Sequence, residues 1–207
     1  MAAVLAAGPA LSHPHVFVDG GVDFVFGNDQ QIEALKVTWL YDEFETLYTL
    51  SVLELSLNDA GGLDEADRLE LVRRLSDWPD DFDGSAHLSI EGEPVPLAWP
   101  EGLDARMVDG RLLITFTRPL EEPVKLAGRP AEVAFYESTY FFAFSVTNPP
   151  QLIGAADPCS ATVIPNDPND QPEELRATLA ALGREETPGI ANVGALFADR
   201  IMVTCAS

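Results

Sequence analysis

The chain has 207 residues, enough for one domain with a sizeable core, and its 34 acidic and 12 basic residues give a formal net charge of −22. That balance excludes nucleic acid as a partner, because phosphates are repelled, and it argues against docking on anionic lipid. No apolar stretch after residue 12 is long enough to cross a bilayer, so no transmembrane segment is expected in the mature chain.

Residues 2–12 are small or apolar. Ala10 and Ser12 stand at the two positions a signal peptidase inspects, which predicts a cut between Ser12 and His13. Residues 1–12 then read as a signal-peptide remnant and 13–207 as a single domain, exported to the periplasm. The first basic residue is Lys36, so the positively charged opening of a full signal is missing from this stretch. Cleavage would make His13 the first residue of His13-Pro14-His15, with His87 the third histidine. A square-planar site built on the second amide is blocked, because Pro14 has no amide proton. A chelate by the α-amine and the His13 imidazole remains, completed by His15 or another side chain. Nitrogen ligands of this kind suit nickel, cobalt, zinc or copper. Two histidines need further ligands from the fold, and Asp42, Glu43, Glu45 and Glu137 are the candidates. The competing reading makes His13 and His15 surface residues that cap a strand.

The elements follow in order. Val16, Val18, Val22, Phe24 and Phe26 alternate as in a strand, and Asn28-Asp29 turns the chain into a second strand over 32–41. From Asp42 to Ser56 the apolar period becomes helical, and Asp42 and Glu43 suit a helix start. A second helix is expected over 65–75, ended by Trp78-Pro79. The intervening loop imitates a calcium-binding loop with Asn58, Gly61, Leu63 and Asp64 in place. Ser56, Ala60 and Asp67 replace its strongest donors, so calcium is not an expected ligand. Short strands are expected over 87–90, 95–98, 105–108, 112–117, 131–136, 140–146, 151–155 and 160–164. A helix over 173–182, a helical turn over 193–198 and a last strand over 200–205 complete the chain. The aromatic residues Trp39, Tyr136, Tyr140, Phe141, Phe142 and Phe144 read as packing. The fold class is α+β, mainly antiparallel β and sandwich-like, with a helical pair after the first hairpin and short C-terminal helices.

Cys159 and Cys205 are the two cysteines, and an even count in an exported chain favours a disulfide. A thiolate metal site shared with the histidines is the alternative. There is no Gly-x-Ser-x-Gly elbow, no phosphate-binding Gly-Lys-Ser/Thr loop and no HExxH helix, so an enzyme is not expected.

Several segments together resemble the DUF1007 family of exported bacterial proteins. They are His13-Pro-His-Val-Phe-Val-Asp19, Val37-Thr-Trp-Leu-Tyr-Asp-Glu-Phe44, Arg118-Pro-Leu, Tyr136-Glu-Ser-Thr-Tyr-Phe-Phe-Ala-Phe144, Pro158-Cys-Ser-Ala161 and Phe197-Ala-Asp-Arg-Ile-Met-Val-Thr-Cys205. The calcium-like loop is eroded, and Glu137-Ser138 stands where the family pattern has Asp-Pro. The resemblance implies a periplasmic component of a transport system and a membrane nickel/cobalt permease as partner. The resulting expectation is a periplasmic accessory protein of transition-metal transport. It binds a divalent ion through His13 and His15, or docks on the permease. The alternatives are a metal-independent β-sandwich interaction module and a secreted copper enzyme with an N-terminal histidine brace, for which His87 is the one remote histidine.

Overall fold

A computed structural model describes residues 13–27, 29–79, 82, 84–155, 158–183 and 186–206. The leader expected over 1–12 and the turn residue Asn28 lie outside the described residues. Strand β1 (Val16–Phe26) pairs antiparallel with β2 (Gln31–Tyr41), as the alternation predicts. On β1 the even-numbered side chains from Val16 to Phe26 point into the core. On β2 a bulge between Ile32 and Ala34 changes the parity, so Leu35, Val37, Trp39 and Tyr41 face inward after it. Gly20 faces Trp39 across the hairpin, and a Cβ there would stand 1.9 Å from the Thr38 carbonyl oxygen. Glycine is what lets the two backbones approach that closely.

Helices α1 (Glu43–Val52) and α2 (Glu65–Leu75) follow. Helix α1 stops before the expected Ser56, because Glu54 takes a left-handed conformation at φ 57°. The calcium-like loop closes on itself. Asn58 Oδ1 accepts the N–H groups of Ala60 and Gly62, and Asn58 Nδ2 donates to Asp64. Leu71 fixes α2 on the core, and Arg68 pairs with Glu65 within the helix and ties the helix to Asp104.

The remaining strands are β3 (Ala86–Ile90), β4 (Glu93–Pro94), β5 (Glu101–Val108), β6 (Arg111–Lys125), β7 (Ala131–Phe135), β8 (Phe142–Val146), β9 (Leu152–Ile153), β10 (Cys159–Ile164) and β11 (Asp199–Cys205), with α3 (Glu173–Ala180) before the last. One sheet has the order β5-β6-β2-β1-β8, with β9 also on β1, and the other has the order β10-β11-β7-β3-β4. Pairing is antiparallel apart from β1 with β8 and with β9. The fold is α+β and sheet-rich, as the sequence implies. A single core joins Val18, Phe24, Val37 and Phe116 of the first sheet to Leu88, Val133, Phe135 and Ile201 of the second. A smaller cluster of Leu179, Val193 and Phe197 lies under α3.

Several strand expectations change: the strand expected over 140–146 begins only at Phe142, and the one expected over 151–155 is reduced to Leu152–Ile153. The segment 95–98 is not a strand, since Pro94 and Pro96 remove ladder donors, and Leu97 makes only an isolated bridge to Leu120. Strand β6 runs past Thr117 to Lys125, and its Pro119 faces Ala34 beside the bulge, where the ladder is already interrupted. Arg118 points into this core and donates from Nε to the Ala98 carbonyl and from a terminal nitrogen to Leu97. A buried guanidinium needs such partners.

Cys159 faces Cys205 across β10 and β11, and the two form a disulfide. Unfolded, unreduced protein is expected to show no titratable thiol. Replacing both cysteines by serine is expected to cost up to about 4 kcal/mol, the entropy of closing a loop of this length, read from the urea midpoint. Two reactive thiols in the native chain would overturn this. Millimolar calcium is expected to leave the melting temperature unchanged, and a clear rise would show that the self-closed loop still binds the ion.

Candidate functional site

The parallel pairing of β8 with β1 builds the site. Val16 faces Phe142, and the backbone N–H groups of His15 and Val16 both donate to the Phe141 carbonyl, at 2.9 and 3.2 Å. The segment before β1 is thereby laid along the loop 137–141. The His13 N–H donates to Leu179 O, in the last turn of α3, at 3.3 Å. The His13 and His15 rings meet edge to face with centroids 4.7 Å apart, and the Phe141 ring packs against both at 6.1 and 5.1 Å.

His13 is only 6% exposed, and its Nδ1 is buried without a hydrogen-bond partner among the described residues. Burial pushes the His13 pKa below the ordinary imidazole value, against the pull of the Glu137 and Glu186 charges. Burial thereby favours the uncharged ring, which retains a lone pair.

The expected acidic ligands are placed near this pair but have other work. Glu137 accepts from Thr139 N at 2.7 Å, from Thr139 Oγ1 at 2.9 Å, from Phe141 N at 2.9 Å and from Ser138 Oγ at 3.3 Å. Its carboxylate closes the loop 137–141. Gly194 supports that loop from beneath, since a Cβ there would stand 1.8 Å from Glu137 O, and its N–H donates to Ser138. Asp42 caps α1, accepting from Glu45 N at 2.8 Å, and its other oxygen accepts from Phe17 N at 2.9 Å. Glu45 accepts from Thr49 Oγ1.

His15, Asp42 and Glu43 do share one feature, an open cleft of about 600 Å³ that Phe17, Asp19, Phe44 and Arg111 also line. Arg111 holds Asp19 at 2.8 Å and donates to the carbonyls of Tyr41 and Leu40. The fold therefore sets Asp42 and Glu43 beside His15, and puts the Glu137 charge within reach of His13. Among the described residues, no three histidine, cysteine, aspartate or glutamate side chains come together closely enough to hold an ion. His87 lies on β3, where its ring stacks on Tyr136 at 3.9 Å and Nε2 is 3.2 Å from Tyr136 O. The sequence did not reveal Phe141 as the ring packed against both histidines. It carries the same aromatic signal as its packing neighbours.

A family model described as a protein of unknown function, DUF1007, matches residues 1–205. The chain belongs to the DUF1007 family. No curated protein and no solved structure matches it. The DUF1007 match extends through both sheets, and it covers the histidine pair, the loop 137–141 and both cysteines.

The His13 environment predicts a pH effect. The folded pKa lies below the ordinary 6.5 that the unfolded chain keeps, so the unfolded chain binds more protons in the window between the two. Stability from this residue is full above that window and falls as pH drops through it. On going from pH 7.5 to about pH 5, wild type is expected to lose melting temperature relative to His13→Phe. Parallel curves for the two proteins would refute the assignment.

Proposed function

We propose that this DUF1007 protein is an exported, periplasmic accessory of a transition-metal transport system. In this reading the His13/His15 pair takes up a divalent nickel, cobalt, zinc or copper ion as cargo, and the protein works beside a membrane permease. The carrying observation is the pair of imidazoles 4.7 Å apart, with His13 Nδ1 buried and unpartnered among the described residues. Buried polar atoms are ordinarily paired, and an imidazole nitrogen left over is a ligand for a borderline metal. Asp42 and Glu43 line the cleft on the His15 side, and a net charge of −22 concentrates cations around the chain.

Two imidazoles are an incomplete donor set. Water, the α-amine of a processed chain or a permease side chain would complete it. A site held so lightly exchanges its ion, which suits delivery better than storage. No catalytic step is needed, so the protein is not read as an enzyme.

The second reading, an interaction module that needs no metal, is favoured by α1. Phe44, Leu47, Tyr48 and Val52 form one helical stripe, yet Phe44 is 66%, Leu47 63% and Val52 60% exposed, while Thr46 and Thr49 face inward. An apolar stripe turned to solvent is the mark of a contact surface.

Calorimetry separates the two. Native protein beginning at His13 is expected to bind one divalent ion, and His13→Ala/His15→Ala to bind it at least about tenfold more weakly. The difference should shrink as protons compete for the imidazoles at lower pH. Equal affinity of wild type and double variant would remove the metal reading and leave the interaction module in front.

A further inference from the structure

Phe141 also lines a second cavity, of about 440 Å³, which the metal reading does not use. Its walls include Trp39 and Tyr41 at the end of β2, Phe142 and Phe144 of β8, and Trp78 and Phe82 from the segment after α2. Trp78 and Phe82 stack on each other, with centroids 4.0 Å apart and planes at 15°. Both meet Trp39 at steep angles, at 6.1 and 6.0 Å. Small-molecule sites are concave, mostly apolar clefts of a few hundred cubic ångströms, and this partly open pocket has that size and lining. The wall is also unfinished as a core. Trp39 is 6% exposed, and its Nε1–H is buried with no acceptor among the described residues.

The lining selects the ligand by charge. Among the described residues, no lysine, arginine or histidine lines the cavity. The one charged residue among the described lining is Glu137, whose oxygens are engaged by Ser138, Thr139 and Phe141. A carboxylate, sulfonate or phosphate would find no counter-ion there, and a chain of net charge −22 would repel it. Aromatic faces and edges instead offer stacking and edge-on contact to another ring. We infer that this cavity binds a small aromatic molecule that carries no negative charge.

Two fluorescent probes test this on the full chain: phenylnaphthylamine, which is neutral, and anilinonaphthalene sulfonate, the same rings with one sulfonate. The neutral probe is expected to bind saturably, one per chain, and the sulfonate about tenfold or more weakly. Ser138→Trp, which fills the cavity from its rim, is expected to weaken the neutral probe by about tenfold while the melting temperature holds. Trp78→Ala, which removes a wall, is the second variant and should weaken it similarly if Ser138→Trp fails to fold. Leu47→Lys, on the exposed stripe of α1, should leave probe affinity unchanged. Non-saturable binding, equal affinity for the sulfonate, or full affinity in a folded wall variant would overturn the inference. So would loss of binding in Leu47→Lys, which would place the probe on α1 instead.

Discussion

Parallel addition of β8 to β1 is the constraint on which the rest of the molecule depends. It sets Val16 against Phe142 and delivers the Phe141 carbonyl to the N–H groups of His15 and Val16. With that register the N-terminal segment has one course, along the loop 137–141 and on to the end of α3, where His13 N–H meets Leu179 O. The strand itself is held by Asp199, whose buried carboxylate accepts from Val146 N and from Asn166 N, both at 2.7 Å. Asp199 belongs to β11 of the other sheet, so one side chain couples the two layers and fixes the edge on which the histidines rest.

Carboxylates illustrate how an acidic chain divides its charges. Asp42, Glu137 and Asp199 each saturate backbone N–H groups that no ladder or helix would satisfy. Such bonds to a charged acceptor are stronger than neutral ones and rigidify their loops. The same engagement leaves these carboxylates little free acceptor capacity for anything else. The unpaired excess of negative charge acts at longer range, drawing cations and discouraging anions at both the cleft and the aromatic cavity.

Apolar residues are divided in a comparable way. Most strands commit theirs to the common core, and Tyr140 joins Phe197 in the small cluster beneath α3, with rings 4.1 Å apart. Helix α1 divides its own: it is attached through buried Leu50 and through Thr46, whose hydroxyl accepts from Leu112 N at 2.9 Å, while Phe44, Leu47, Tyr48 and Val52 turn outward. The ring set around Trp39 is intermediate, packed on itself but not closed over the 440 Å³ beside it. Surfaces that fold stability does not require are where contact with other molecules is to be sought.

The sequence by itself determined the elements whose signals are local. Alternation located β1 and β2, the change of period located α1 and α2, and the acidic excess and paired cysteines set the charge and the bridge. It did not determine the bulge that flips the parity of β2, the failure of 95–98 as a strand, or the passage of β6 through Pro119. These depend on what lies across the ladder. For the site, the sequence singled out His13, His15, Asp42, Glu43 and Glu137 by residue type and position. Only the tertiary structure decided that the two imidazoles meet edge to face with Phe141 packed against both, that Asp42 and Glu137 are bound to backbone, and that rings from β2, β8 and the segment after α2 line an open pocket. The physical reason is range. Periodicity reports which side of a strand or helix is apolar, whereas a site is made by strands far apart in the chain, and their pairing is fixed by the whole core at once.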